Sequence, residues 1–359
     1  MSAPMLEIAK ELLRDHLELG IIEEAPKNCP WGAPVILLRK GGNRPGIKNQ
    51  WRLVTDYRGL NKLTVEQTYT PPNIRDVLDD LKNCKYFSKS DCVGGFYQME
   101  LDKADREKTA FTIKTPEGHK SYMFTVASLG LQGCPSSYQQ WMEDVLEGIK
   151  GTHVYLDDII YASVTWEEHL KVLEAAFQRL HKHKIYLHAL KCEWGVESTE
   201  YLGMGISQNH VEISEEKIAA LKAYTEPDSY PAVRRFLGFT QYLAHFIPHY
   251  ASKAAVISDM LKGADTKKKF VWSVACSEAF KRICTDLINS VGLAMPDKEG
   301  DLVVETDASG LGVGACLYQF VDNKLIPIWY LSKKFSSAEA NYSTRDREAL
   351  AVMIYALIK

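Results

Sequence analysis

The feature that most constrains this fold is a pair of adjacent carboxylates inside a run that is otherwise suited to burial. In His153-Val154-Tyr155-Leu156-Asp157-Asp158-Ile159-Ile160-Tyr161, apolar β-type residues flank Asp157-Asp158 on both sides. The pattern predicts a strand–turn–strand over residues 153–162. A buried carboxylate without a partner is expensive, so something cationic must sit beside the turn. The run contains no Lys or Arg, which leaves a metal ion or a basic side chain from elsewhere. Taken alone, the motif is better explained as an exposed turn, because Asp suits turns.

A second apolar strand, Tyr86-Phe87-Ser88-Lys89-Ser90-Asp91, also ends in a carboxylate. If the two strands are neighbours, Asp91, Asp157 and Asp158 converge at one end of a sheet. Three clustered carboxylates can hold two Mg²⁺ roughly 3.5–4 Å apart, an arrangement suited to nucleotidyl transfer.

The surrounding pattern is mixed. Apolar residues recur at helical spacing over residues 6–19 and stop at Gly20. Short strands are expected over 34–38 and 51–56, separated by the Gly41–Gly46 turn cluster. Helical patterns follow from Pro72 through Leu81, over 136–149 after Pro135, and over 166–183, the last ending in a basic turn that suits its dipole. This alternation indicates an α+β domain. Helices are expected to dominate 214–261, with breaks near Pro227, Pro231 and Pro248. Strands are expected at 302–306, 313–320 and 326–331, and a last helix from Ser343 to Lys359.

Composition narrows the class. Of 359 residues, 46% are hydrophobic and 25% charged, the profile of a globular protein with room for two or three domains. No apolar run approaches the roughly 20 residues of a membrane-spanning helix, and the N-terminus lacks a signal-peptide pattern. An intracellular location and no membrane partner are expected. Eight scattered cysteines lack zinc-knuckle or redox-pair spacing and are expected to be reduced thiols. The formal net charge of −3 is unusual for a nucleic-acid binder, so any phosphate-binding charge must be local. Arg39, Lys40, Arg44 and Lys48 form one cluster, and Lys262, Lys267, Lys268 and Lys269 another.

A second acidic pattern lies late in the chain. Val303-Val304-Glu305-Thr306-Asp307-Ala308-Ser309-Gly310 ends an apolar strand in Asp307, and Glu348 falls early on the last helix. Each also has an ordinary explanation, as a turn residue and as an acid at a helix start.

Taken in order, the motifs resemble the reverse transcriptase of gypsy-class LTR retrotransposons, followed by the N-terminal part of an RNase H domain. The resemblance runs through Pro30-Trp31-Gly32-Ala33-Pro34-Val35, Trp51-Arg52-Leu53-Val54-Thr55-Asp56-Tyr57-Arg58-Gly59-Leu60-Asn61-Lys62 and Phe87-Ser88-Lys89-Ser90-Asp91. It continues through Gly130-Leu131-Gln132-Gly133-Cys134-Pro135, Tyr155-Leu156-Asp157-Asp158, Lys191-Cys192-Glu193-Trp194-Gly195, Tyr201-Leu202-Gly203 and Arg235-Phe236-Leu237-Gly238. Each motif is weak alone; their order and spacing are specific, and they cover nearly the whole chain.

The resemblance implies a right-hand polymerase. Fingers would occupy 1–85, a ferredoxin-like palm 86–210, a helical thumb and connection 211–295, and a truncated RNase H-like α/β domain 296–359. Asp91, Asp157 and Asp158 would be the catalytic metal-binding acids, holding two Mg²⁺ with Mn²⁺ as substitute. Arg52 would meet the incoming triphosphate, the alternative being an ion pair with Asp56 or another carboxylate. Lys48, Phe96, Leu129 and Tyr155 would complete the nucleotide site. Phe96 would exclude a ribose 2′-hydroxyl, its alternative being a core aromatic. Ser128-Leu129 departs from the Pro-Phe or Pro-Gln of relatives and makes the pocket more apolar. Tyr201-Leu202-Gly203 would grip the primer, and Lys191 would act as a general acid towards pyrophosphate. Asp307 and Glu348 match the first two nuclease acids; the remaining ones are absent, so no independent nuclease activity is expected. The implied partners are an RNA or DNA template with primer, dNTPs and other retroelement polyprotein domains. The alternatives are a co-opted, non-catalytic fragment and an RNA-dependent RNA polymerase.

Overall fold

The computed structural model describes residues 3–39, 51–65, 69, 72–115, 118–262, 270–296 and 300–357. Lys40, Arg44, Lys48 and Lys267 to Lys269 of the two basic clusters lie outside the described residues. The chain begins with α1 (Ala3–Glu18), β1 (Ile22–Glu24), β2 (Val35–Arg39), β3 (Trp51–Thr55), the single turn α2 (Arg58–Asn61) and α3 (Ile74–Leu81). Next come β4 (Tyr86–Asp91), β5 (Phe111–Thr115), β6 (Gly118–Phe124), α4 (Cys134–Leu146), β7 (Thr152–Tyr155), β8 (Asp158–Ser163) and α5 (Trp166–Lys182). They are followed by β9 (Glu193–Val196), β10 (Ser198–Tyr201), β11 (Met204–Ser207), β12 (His210–Ile213), α6 (Glu215–Ala223), α7 (Tyr230–Tyr242) and α8 (Tyr250–Asp259). The remainder is α9 (Val274–Ile288), β13 (Leu293–Ala294), β14 (Asp301–Ala308), β15 (Gly312–Val321), β16 (Lys324–Lys334) and α10 (Thr344–Leu357).

The chain divides into two compact units. The first comprises Met1–Asn73, Lys89–Tyr161 and Leu170–Glu193; the second comprises Ile74–Ser88, Ala162–His169 and Trp194–Lys359. Four strands pair in the order β7-β8-β4-β9. Their chain order, β4-α4-β7-β8-α5-β9 with the β5–β6 hairpin inserted, makes this the ferredoxin-like arrangement expected of a palm. β8 is interior to the sheet and buried from Ile159 through Ser163, as a strand covered on both faces should be. Two amphipathic helices pack against the sheet in the first unit. Tyr138, Met142, Val145 and Leu146 of α4, with Ala176 and Leu180 of α5, bury against Val154, Ile159, Tyr161 and Cys92. Each such side chain contributes about 1.5–3 kcal/mol through removal from water.

A second core in the same unit joins Ala9, Leu12 and Leu13 of α1 to Leu37, Leu53, Phe111, Ile113, Tyr122 and Phe124. It seats the β2–β3 hairpin, in which Leu38 lies opposite Arg52. The β1-β6-β5 sheet shares this core.

The second unit holds two sheets, β10-β11-β12-β13 and β14-β15-β16. Leu350, Ala351 and Ile354 of α10 pack on Val313, Phe335 and Leu331. The segment 211–295 is expected to be helical, yet β12 and β13 pair there, with Val211 opposite Leu293; α9 fits that expectation for the segment, although it lies beyond the helical patterns read over 214–261. Pro231 does not break a helix. It lies in the first turn of α7, where its missing N–H has no intrahelical partner to lose.

All eight cysteines are free thiols, six of them buried. Among the described residues no helix is long and apolar enough to cross a membrane.

Candidate active site

β4 and the β7–β8 hairpin bring the first-unit acids to one end of the palm sheet. Tyr155 lies opposite Asp158, which leaves Leu156 and Asp157 as a two-residue loop. The Cys92 N–H donates to the Asp157 carbonyl at 3.0 Å, tying the residue after Asp91 directly to that loop. One turn of strand away, Ser90 Oγ and Tyr161 Oη share a buried hydrogen bond of 3.0 Å. The polar residues needed to finish β4 are thus satisfied inside the sheet.

Asp157 carries the clearest electrostatic signature. Burial raises its carboxyl above the ordinary value, and the negative charges of Asp91 and Asp158 raise it further; Lys191 and Arg52 oppose the shift. Asp158 is also raised, first by burial, against the pull of Lys89. Asp157 Oδ1 is buried without a hydrogen-bond partner among the described atoms. Its neighbour is Gly95, at φ +46°, where a Cβ would stand 2.2 Å from that oxygen. Only glycine fits here on both counts.

Lys191 supplies the cation that the hairpin run lacks. Its Nζ donates to Asp91 Oδ1 at 3.0 Å and to Oδ2 at 2.9 Å. Arg52 lies exposed on β3, close enough for its charge to act on both Asp157 and Tyr97. Asp56, one of the carboxylates considered as an ion-pair partner for Arg52, is held by Arg58 through Nε and Nη2 at 2.6–3.1 Å. Phe96 follows Gly95 in a short 3₁₀ turn and meets Tyr138 edge-on, with centroids 5.3 Å apart. It is partly buried against the palm core. Leu129 and Tyr155 are half-buried in the same unit.

Are the acids suited to divalent metal? Their chemistry is right: hard oxygen donors, mutual repulsion, and one buried oxygen without a partner. Yet among the described residues no three His, Cys, Asp or Glu side chains are gathered closely enough to hold an ion. The expected triad therefore shares a sheet end without forming such a group, and Asp91 is paired with Lys191. Asp307 and Glu348 in the second unit likewise form no such group. Asp307 is exposed on β14 opposite Gly314 and lies 3.9 Å from His249 Nδ1. Glu348 is exposed on α10.

The Tyr201-Leu202-Gly203 segment also lies in the second unit. Tyr201 pairs with Met204, and Leu202 and Gly203 have φ +52° and +73°, the signature of a tight type I′ hairpin. The Tyr242 hydroxyl donates to the Leu202 carbonyl.

Residues 38–206 match the family profile described as reverse transcriptase (RNA-dependent DNA polymerase). Residues 272–358 match that of the RNase H-like domain found in reverse transcriptase. The chain thus carries a reverse transcriptase domain followed by an RNase H-like domain of the kind found in reverse transcriptases. The RNase H-like match begins at residue 272 and so takes in α9 and β13, ahead of the strands that suggested it in the sequence. The chain is 33% identical over 346 residues to the retrovirus-related Pol polyprotein from transposon 297 of Drosophila melanogaster, covering 95% of this chain and 31% of that protein. It is 34% identical over 356 residues to the corresponding polyprotein from transposon gypsy, covering 96% and 33%. The chain thus spans about a third of the length of these relatives. Among solved structures, a foamy viral protease-reverse transcriptase in complex with dsDNA superimposes with a TM-score of 0.82 at 25% identity, covering 98% of this chain and 71% of that one. Another, in complex with an RNA/DNA hybrid, gives 0.83 at 24%, covering 100% and 46%.

Two residues packed around the acids carried no clear signal in the sequence. Gly95 was legible only as half of a Gly-Gly pair. Gln139 lies within the helix expected over 136–149 with nothing in the sequence to mark it, yet it is 2% exposed.

Proposed function

We propose that this chain is an RNA-directed DNA polymerase that extends a primer with dNTPs, in the setting of a retrotransposon polyprotein. The observation that carries the proposal is the arrival of Asp91, Asp157 and Asp158 at one end of the palm sheet, where Asp91 and Asp158 both raise the Asp157 carboxyl. Asp91, Asp157 and Asp158 would hold the divalent cations, Mg²⁺ or in its place Mn²⁺. Two such ions supply neutralisation of charge on the attacking and leaving oxygens of an in-line displacement. Release of Asp91 from Lys191 would free that carboxylate for a metal ion.

The remaining roles belong to side chains. Arg52, exposed beside the acids, is placed to pair with triphosphate oxygens through its planar guanidinium. Phe96 offers a ring face to the deoxyribose, and Leu129 and Tyr155 give the nucleotide pocket an apolar wall. Lys191 carries protons near the acids and suits protonation of the leaving pyrophosphate. Lys48 is kept in the proposed nucleotide site on its motif position alone. The Tyr201-Leu202-Gly203 hairpin is proposed as the primer grip, its turn glycine permitting close backbone approach. The template is RNA or DNA, recognised through its backbone and shape; foamy viral relatives hold dsDNA and an RNA/DNA hybrid. No nuclease step is assigned to Asp307 and Glu348, since two exposed carboxylates do not make a two-metal site.

Primer extension on poly-rA with oligo-dT tests the proposal. dNTP incorporation is expected with Mg²⁺ or Mn²⁺, and loss of incorporation in Asp157→Asn. Folded protein that incorporates nothing with either ion would refute it, while preferential use of rNTPs would point to an RNA polymerase.

A further inference from the structure

The hairpin that carries two of the acids has an unusual backbone. Leu156 sits at φ +52° in the first loop position, while Asp157 does not share a positive φ, a combination that ordinarily calls for glycine at the first position. A bulky residue in this region is strained and persists only where its surroundings over-determine it. In a two-residue loop the Leu156 N–H also has no partner in the strand ladder, and a buried N–H must find one.

Gln139 provides both the restraint and the partner. Its Oε1 accepts from the Leu156 N–H at 2.6 Å, and its Nε2 donates to the Val154 carbonyl at 2.8 Å. The carboxamide therefore grips the loop at two backbone groups, one donor and one acceptor. Neither a carboxylate nor an ammonium offers both functions, and a hydroxyl on a short stem lacks the reach. The second hydrogen of Nε2 goes to Glu143 Oε1 at 2.9 Å, one helical turn further along α4. Two acceptors at the nitrogen and one donor at the oxygen leave a single amide orientation that satisfies all three. Tyr69 Oη donates to the same Glu143 oxygen at 2.7 Å, holding that carboxylate in turn.

We propose that Gln139, braced by Glu143, is a positioning residue for the polymerase reaction: it fixes the strained Leu156 turn and thereby the placement of Asp157 and Asp158. The inference rests on the polymerase function proposed above. It acts through the loop backbone, so substrate is not contacted and dNTP binding is not its task. Losing the grip lets the turn relax to a less strained backbone, displacing the acids from the reacting centre. Displacements of this kind cost rate far more than affinity.

Two measurements test it, on Gln139→Met, which keeps the side-chain length and apolar stem, and on Glu143→Ala. The first is amide hydrogen exchange at Leu156 in the metal-free protein. Exchange should quicken there in both variants while Ile159 and Ile160 on β8 stay protected. The second is single-nucleotide primer extension. Gln139→Met should lose on the order of 10- to 100-fold in kcat, with the dNTP KM within about twofold of wild type; Glu143→Ala should lose less, in the same direction. Should Gln139→Met fail to fold, Glu143→Ala decides by the same two readouts. Wild-type exchange at Leu156 with wild-type kcat overturns the inference, as does a raised KM at unchanged kcat. A wild-type protein that extends no primer refutes the function instead, and the exchange measurement still decides whether Gln139 holds the turn.

Discussion

Asp157 holds its charge against the grain of its surroundings. Burial first, then Asp91 and Asp158, raise its carboxyl above the ordinary 3.8. The folded protein therefore binds a proton where the unfolded chain has already released it. Stability falls as pH rises from 3.8 through the raised folded value, and the penalty persists in full above that window. Asp157→Asn removes the penalty together with the proposed metal ligand. In thermal unfolding without divalent ions, the variant should melt a few degrees above wild type at neutral pH, with the gain fading once the pH drops below the carboxylate range. An equal or lower melting temperature at neutral pH would show that the charge is not uncompensated. Gly95 belongs to the same balance. Gly95→Ala adds a Cβ at φ +46°, 2.2 Å from Asp157 Oδ1, so the carboxylate must move. Primer extension should fall by on the order of tenfold or more, while the strained backbone itself costs only about 1–2 kcal/mol of stability. A variant that keeps full activity would mean that Asp157 tolerates displacement.

At the scale of elements, sequence legibility followed burial pattern and failed where pairing is remote. The apolar run ending in Asp91 predicted β4 at its observed bounds, and the Asp157-Asp158 interruption gave the β7–β8 hairpin, because both signals are local. The acids' common sheet end was conditional on β4 and β8 being neighbours, which no local pattern states. In the β10–β13 sheet only the last pairing has that excuse: β12 closes on β13 across a long stretch of helices, and β13 has two residues, whereas β10, β11 and β12 pair locally through two-residue turns in strands of four residues each. Helix α9 lacked a start signal beyond Ser273, whose hydroxyl accepts from the Cys276 N–H. The strands of the RNase H-like sheet were legible, though shorter than observed, and their packing makes a prediction of its own. Gly312 lies where a Cβ would stand 2.4 Å from the Lys333 carbonyl of β16. Gly312→Ala must then push the two strands apart, at a cost of about 1–3 kcal/mol. Chemical denaturation should report that loss; an unchanged midpoint would show that the β15–β16 ladder yields without strain.

The whole molecule poses a charge problem that the proposed function must solve. At a formal net charge of −3, the chain as a whole repels the nucleic acid it is proposed to bind. Association must therefore come from local cations, and local phosphate contacts leave a thermodynamic trace: each releases counterions from the duplex. The affinity for a template–primer should fall steeply with salt, by a factor of roughly 10³ or more between about 50 and 200 mM if six or more phosphates are engaged. The net charge also bears on specificity. Backbone contacts position the duplex without reading it, so template–primers of equal length and different sequence should bind within about threefold of one another at a given salt concentration. A fluorescence-anisotropy titration across salt and sequence measures both. A flat salt response would remove the phosphates from the account of binding, and a strong sequence preference would require base contacts that a backbone-reading polymerase does not make.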